Sequence, residues 1–329
     1  MSSTRDRILT LVLLTLVSAG PCDIYGSGNT PCVAAHSTTR ALYDSYKGNL
    51  YQVQRASDSK TQDVAPLKPG GVADAGSQDK FCEGTSCVIS IIYDQSGQGN
   101  DLRAAPSGGA TGNQTGPDRL ADATAAPVKV DGQKAYGVFI SQGVGYRQDV
   151  TKGVVTGDKE EGMYFVVDGT HSNGQCCFDY GNAEVSNNDT GKGSMEALYF
   201  GNAPSGKTSG SGPWIAADLE DGVWASIDQP SPSMNSRFVF GALKGSAEKY
   251  SLRGADATGG MMQTHYSGTR PDGYVGHMNL TGAIILGIGG DNSNWGVGTF
   301  YEGVMVAGSP SDDTENSVQA NIVAAKYST

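Results

Sequence analysis

The sequence predicts an all-β fold, a sandwich or barrel of many short strands with only a few short helices. Three observations predict it. The 329 residues include 47 glycines and 15 tyrosines and only 17% are charged, a balance that helical bundles rarely tolerate. Short runs rich in β-branched and aromatic side chains recur along the chain, separated by Gly-, Asn- and Ser-rich turns. No internal repeat or low-complexity linker interrupts residues 20–329, so the strands are read as one domain.

The first 19 residues read as a signal peptide. Arg5 and Arg7 precede an almost wholly apolar run from Ile8 to Val17, too short to span a bilayer, and Val17-Ser18-Ala19 offers small residues for cleavage. Thr30-Pro31 then looks like a helix start, with Ala35, Thr39, Leu42 and Tyr46 at helical spacing and Gly48 as the stop. A hairpin follows, 50–55 against 61–65 about a polar turn at 57–60. Further strands are expected at 88–93, 128–130, 135–140, 163–168, 195–201, 214–220, 237–243, 249–253, 283–289 and 299–306. A last amphipathic helix covers 313–326, with Val318, Ile322 and Ala325 on one face.

A formal net charge of −11 argues against nucleic acid or an anionic membrane surface as partner, and the chain is read as a secreted monomer. All six cysteines follow the leader: Cys22, Cys32, Cys82, Cys87, Cys176 and Cys177. Sequence alone does not choose their pairing. Nearest-neighbour bonds Cys22–Cys32 and Cys82–Cys87 would close small loops, leaving Cys176 and Cys177 to bond each other or stay free. Sequons at Asn113, Asn188 and Asn279 fit a secreted glycoprotein. The histidines His36, His171, His265 and His277 show no zinc spacing, and no Gly-x-Ser-x-Gly elbow occurs. Ile285–Gly290 glances at a dinucleotide fingerprint, but Asn292 stands where the third glycine belongs.

Two stretches carry candidate chemistry. Read as a strand, 214–222 places Trp214, Ala216, Asp218 and Glu220 on one face and Ile215, Ala217 and Leu219 on the other. The two carboxylates would then stand about 7 Å apart along the strand. The apolar run 283–288 ends in Gly289-Gly290-Asp291-Asn292, where paired glycines let backbone approach a ligand and a carboxyl emerges from an apolar strand end. Such a carboxyl suits a general acid. Bonded to each other, Cys176 and Cys177 would form a rigid apolar knob able to press on one face of a sugar without losing side-chain entropy.

The sequence resembles the catalytic domain of α-L-arabinofuranosidases of glycoside hydrolase family 54. The resemblance is carried by Gly20-Pro-Cys-Asp-Ile-Tyr25, Thr30-Pro-Cys-Val-Ala-Ala-His-Ser-Thr-Thr-Arg-Ala-Leu-Tyr43 and Ile91-Ile-Tyr-Asp-Gln-Ser-Gly97. Further blocks are Cys176-Cys-Phe-Asp-Tyr-Gly-Asn-Ala-Glu184, Gly212-Pro-Trp-Ile215 and Gly282-Ala-Ile-Ile-Leu-Gly-Ile-Gly-Gly-Asp-Asn-Ser-Asn294. It implies a two-sheet β-sandwich of the concanavalin A-like, jelly-roll type. It also implies exo-acting release of terminal α-L-arabinofuranose from arabinan or arabinoxylan side chains, with retention and without metal or cofactor. On matching positions Glu220 would be the nucleophile and Asp291 the acid/base. Asp218, Asp221, Asn292 and the Gly290 backbone would hold sugar hydroxyls, and a Cys176–Cys177 disulfide would pack against the ring.

Three departures from the family pattern stand out. Asp221 occupies a position where the family usually shows Asn; on a regular strand it points away from the face of Glu220, yet its charge would raise the Glu220 pKa. The loop 203–211 lacks the tryptophan often found beside the site, which bears on substrate preference. The family commonly adds a C-terminal arabinose-binding β-trefoil, and none is expected here. The alternative reading is a non-catalytic or weakly active, lectin-like sandwich, or a furanosidase of shifted sugar specificity.

Overall fold

Strand alternation sets the architecture. A computed structural model of the chain describes residues 19–110 and 116–329; the expected leader, except Ala19, and the Asn113 sequon lie outside the described residues. Two seven-stranded sheets face each other. In the first, the hydrogen-bonded order is Cys32–Ser37, Gly298–Ala307, Glu161–Asp168, Phe238–Gly245, Lys249–Asp256 and Gln263–Thr269, with Val138–Ile140 also on Gly298–Ala307. In the second it is Val223–Trp224, Trp214–Asp218, Glu196–Gly201, Asp179–Ala183, Ala283–Leu286, Tyr146–Gln148 and Arg103–Ala104. Neighbours in both sheets run antiparallel.

Every second residue enters the layer between the sheets, as the period of two requires. Met163, Phe165, Val167, Leu243 and Leu252 meet Tyr180, Leu198, Phe200, Ile215, Ala217, Ile284 and Leu286 there. The intervening residues of the first sheet, Tyr164, Val166, Phe240, Val304 and Val306, are covered in turn by Cys22, Tyr25, Val318 and Ile322 of the helices Pro21–Ser27 and Asp312–Ala324. Glu161–Asp168 is therefore buried along its whole length. The outward face of the second sheet, with Cys177, Tyr199, Trp214, Ala216 and Val223, carries the loops discussed below.

The hairpin Tyr51–Arg55/Thr61–Val64 and the strands near 88–92, 128–130, 163–168, 196–201, 238–243, 249–253, 283–286 and 299–306 lie where the sequence puts them. The helix expected from Thr30-Pro31 does not form. Cys32–Ser37 is instead a strand paired with the last strand of its sheet, and the short helix precedes it, with Pro21 near its start. Both faces of this strand are buried, so its apolar residues show no alternation and mimic a helical stripe. The expected strand 135–140 is split at Gly137 into Gln133–Tyr136 and Val138–Ile140, which join different sheets. Asp179–Ala183 was not legible as a strand, because its polar residues suggest a loop; Asn182 is satisfied inside by the Val155 carbonyl, Glu161 and the Gly282 N–H. Cysteine pairing is nearest-neighbour throughout: Cys22–Cys32, Cys82–Cys87 and Cys176–Cys177.

Ile215 fixes the strand Trp214–Asp218 against the opposite sheet. Its Cδ1 fills a slot left by Gly254, where a Cβ would lie only 2.6 Å away. Truncation to Ala removes the atoms that fill this slot. Ile215→Ala should cost about 2–5 kcal/mol in denaturant-midpoint measurements, whereas a loss under about 1 kcal/mol would show that the sheets re-pack around the gap.

Candidate active site

Three segments meet above the outward face of the second sheet and enclose a cavity of about 290 Å³. They are the turn after Trp214–Asp218, the Cys176–Cys177 pair and the loop 289–295, with Ala110 and Asp189 completing the lining. Asp218 is the last strand residue, and its Oδ1 accepts the Glu220 N–H at 3.2 Å, the local bond that lets an aspartate turn the chain. Glu220 and Asp221 both take left-handed backbone conformations, φ 59° and 56°. For non-glycine residues these cost of order 1–3 kcal/mol each unless the surroundings hold them. Here the Leu219 N–H donates to the Gly222 carbonyl at 3.1 Å, and the Tyr274 hydroxyl donates to the Glu220 carbonyl at 2.7 Å.

The turn overturns the alternation read from sequence. Asp218 and Glu220 do not share a strand face, because the strand ends at Asp218. Asp221 does not point away either: it lines the same cavity as Glu220. Reversal of the backbone at both residues brings consecutive side chains to one side.

Asp291 comes from the other sequence stretch. The Ser293 N–H donates to its Oδ1 at 3.0 Å, while Gly289 N–H to Ser293 carbonyl (2.9 Å) and Asn292 N–H to Gly289 carbonyl (3.0 Å) close the loop. Beneath it lies Arg147, fully buried. Its guanidinium donates to the Gly290 carbonyl at 2.6 Å, to the Glu184 carbonyl, and through Nε to Asp149 at 2.6 Å. Gly290 packs on the Glu184 carboxyl, which a Cβ at this position would displace. Asn292 is wholly buried and does not line the cavity; its amide donates to the Pro106 carbonyl, so it shapes the loop from below.

The disulfide forms the facing wall. Cys177 is buried with Sγ 3.3 Å from Asp218 Oδ2, and Cys176 is exposed toward the rim. Backbone bonds tie the pair to the Asp291 loop: Cys177 N–H to Ser293 carbonyl (3.3 Å) and Trp295 N–H to Cys176 carbonyl (3.1 Å). The two sulfurs and the Asp218 carboxylate approach within 4.8 Å, but bonded sulfurs offer no thiolate, so the trio is a poor metal donor set.

Burial governs the electrostatics. Glu220 is pushed up to about 10, first by desolvation and then by the negative charges of Glu184, Asp218, Asp291 and Asp189. Asp218 is pushed up to about 7, again chiefly by burial. Asp179, beside Asp218, and Glu184, beside Glu220, are raised for the same first reason. Neither Asp179 nor Glu184 receives an N–H or O–H donor on its buried carboxyl oxygens among the described residues. Each is matched with another carboxyl instead, an arrangement that is favourable only when the pair holds a proton.

The structure thus brings Cys176, Cys177, Asp218, Glu220, Asp221, Gly290 and Asp291 to one cavity and leaves Asn292 outside its wall. Sequence reading missed Asp179, Glu184, Arg147 and Tyr274, which stand behind or brace the lining groups. The one available signal was the acid-bearing run Asp179–Glu184 directly after the cysteine pair.

Residues 21–328 match the family model described as "Alpha-L-arabinofuranosidase B, catalytic". The chain is 61% identical over 321 residues to α-L-arabinofuranosidase B of Aspergillus oryzae, covering 95% of this chain and 63% of that protein. It is 59% identical over 332 residues to α-L-arabinofuranosidase B of Aspergillus kawachii, covering 98% of this chain and 66% of that one. Two solved structures superpose closely, each 58% identical and covering 94% of this chain. One is a glutamate-to-glutamine mutant of a GH54 α-L-arabinofuranosidase soaked with 4-nitrophenyl α-L-arabinofuranoside, with TM-score 0.92 over 66% of that chain. The other is an arabinofuranosidase complexed with arabinofuranosyl-α-1,2-xylobiose, with TM-score 0.91 over 65% of that chain. The present chain therefore spans somewhat under two thirds of the length of its first relatives.

The crowded carboxyls predict an inverted pH dependence of stability. With folded-state values raised to about 7 at Asp218 and about 10 at Glu220, the folded chain binds more protons than the unfolded chain above about pH 4. Stability therefore falls as pH rises through that window. Asp218→Asn and Glu220→Gln should be more stable than wild type at pH 8, by about 1–3 kcal/mol, with the gain vanishing near pH 4. Urea unfolding at both pH values checks this; variants less stable than wild type at pH 8 would contradict it.

Proposed function

Since the chain belongs to the α-L-arabinofuranosidase B catalytic family, we propose that it is a secreted, retaining, exo-acting α-L-arabinofuranosidase. Its substrates are terminal α-L-arabinofuranosyl groups on arabinan or arabinoxylan side chains. The observation that carries this reading is the meeting of Glu220 and Asp291, from turns about 70 residues apart, in one cavity with room for a single sugar ring.

Glu220 is the nucleophile. Its carboxylate attacks the anomeric carbon as the bond to the leaving oxygen breaks, and Asp291 protonates that oxygen. In the second half Asp291 takes a proton from water, the water attacks the anomeric carbon, and Glu220 departs as a carboxylate. Glu220 must be ionised for the first step although its surroundings favour a proton. Burial and then the charges of Glu184, Asp218, Asp291 and Asp189 favour that proton, so the first step runs from the fraction of enzyme in which Glu220 has given it up. Asp218 and Asp221 accept hydrogen bonds from ring hydroxyls, the Gly290 backbone makes a further contact, and the Cys176–Cys177 disulfide packs on the ring's apolar face. Asn292 supports the loop of Asp291 rather than touching sugar.

Three disulfides suit an oxidising compartment, and the sequon residues Asn188 and Asn279 are exposed, as glycan acceptors in an exported chain should be. The leader is 1–19 and the catalytic unit is 20–329.

Hydrolysis of 4-nitrophenyl α-L-arabinofuranoside should be lost by about a thousandfold or more in Glu220→Gln. Asp291→Asn should lose about a hundred- to ten-thousandfold, less on this activated leaving group than on an oligosaccharide. NMR of the first-formed arabinose should show the α anomer. Full turnover by either variant, or a β product, would overturn the assignment.

A further inference from the structure

Resting on the arabinofuranosidase reading above, we propose that the indole of Trp295 is the leaving-group side of the site. It would be a platform for the apolar face of the xylopyranose ring from which arabinose is cut. The three tryptophans are placed very differently. Trp214 is buried with Nε1 donating to the Ser209 carbonyl at 3.0 Å, and Trp224 packs edge-on against Tyr274 with ring centres 6.3 Å apart. Trp295 is 43% exposed and lines the cavity. Among the described residues, no other large exposed apolar side chain lies on the cavity wall.

Position assigns the ring its role. Asp291 must stand at the glycosidic oxygen to protonate it, so groups further along the same loop toward the rim face what departs. Trp295 lies four residues beyond Asp291. Its backbone is pinned on both sides, N–H to the Cys176 carbonyl at 3.1 Å and carbonyl from the Asn173 amide at 3.0 Å. The following Gly296 packs directly on the Cys177 carbonyl, where a side chain would collide. The Trp295 backbone is thereby tied to that of the disulfide, and its partly exposed indole lines the same cavity as Cys176 and Cys177. A β-xylopyranose chair, with its substituents equatorial, presents flat C–H faces that such a ring can cover. A methyl leaving group has no face to offer.

The test compares kcat/KM on arabinofuranosyl-α-1,2-xylobiose with that on methyl α-L-arabinofuranoside, for wild type, Trp295→Ala, Trp295→Gln and Trp295→Phe. The ratio of the two constants should fall about five- to tenfold in the Ala and Gln variants and be largely kept by Phe, which retains a flat apolar ring. A ratio unchanged in Ala and Gln, whether both constants fall together or neither does, overturns the platform while leaving the arabinofuranosidase reading intact. Wild type that cleaves neither substrate sinks that reading, and the platform with it.

Discussion

One buried cation organises the site. Arg147 sits on the short strand Tyr146–Gln148, and its side chain is closed to solvent. Its planar fork grips the carbonyls of Gly290 and Glu184, residues far apart in sequence, and so sets the Asp291 loop against the carboxyl that backs Glu220. A lysine could supply the charge but not two donors at a fixed angle. The Asp149 carboxylate and the two carbonyls offset the cost of burying the guanidinium.

Around this clamp the fold accepts energetic costs that a merely stable protein would avoid. Asp179, Glu184, Asp218 and Glu220 are buried side by side, and Glu220 and Asp221 hold left-handed backbone. Such features persist only on a scaffold that over-determines them. The scaffold here is a sandwich whose first sheet is covered on both faces and whose second sheet anchors the site strand through Ile215. Burial raises the pKa of all four carboxyls, so the cluster is held together by shared protons rather than by cations.

Much of the fold was legible because burial on one side of a strand writes a period of two into the chain. The first hairpin strand Tyr51–Arg55 and the strands Cys87–Ile92 and Pro127–Val130 follow that rule. Where both faces are buried the rule fails. Cys32–Ser37 lost its alternation and read as a helix, and Asp179–Ala183 was not expected as a strand because its polar residues serve interior partners. Most of the cavity wall was also legible, through the carboxylates after two apolar runs and the adjacent cysteines.

By itself the sequence determined an all-β chain and pointed to Glu220, Asp291, Asp218 and the Cys176–Cys177 pair. Residue type and short spacing singled these positions out, and the resemblance to the family gave Glu220 and Asp291 their expected roles. Tertiary structure alone decided that Asp221 faces the cavity, that Asn292 does not, and that Glu184 and Arg147 stand behind the lining residues. The physical reason is that two left-handed residues break the strand period just where it mattered. The partners of a buried charge, for their part, are chosen by contacts across the sheet, which no spacing along the chain encodes.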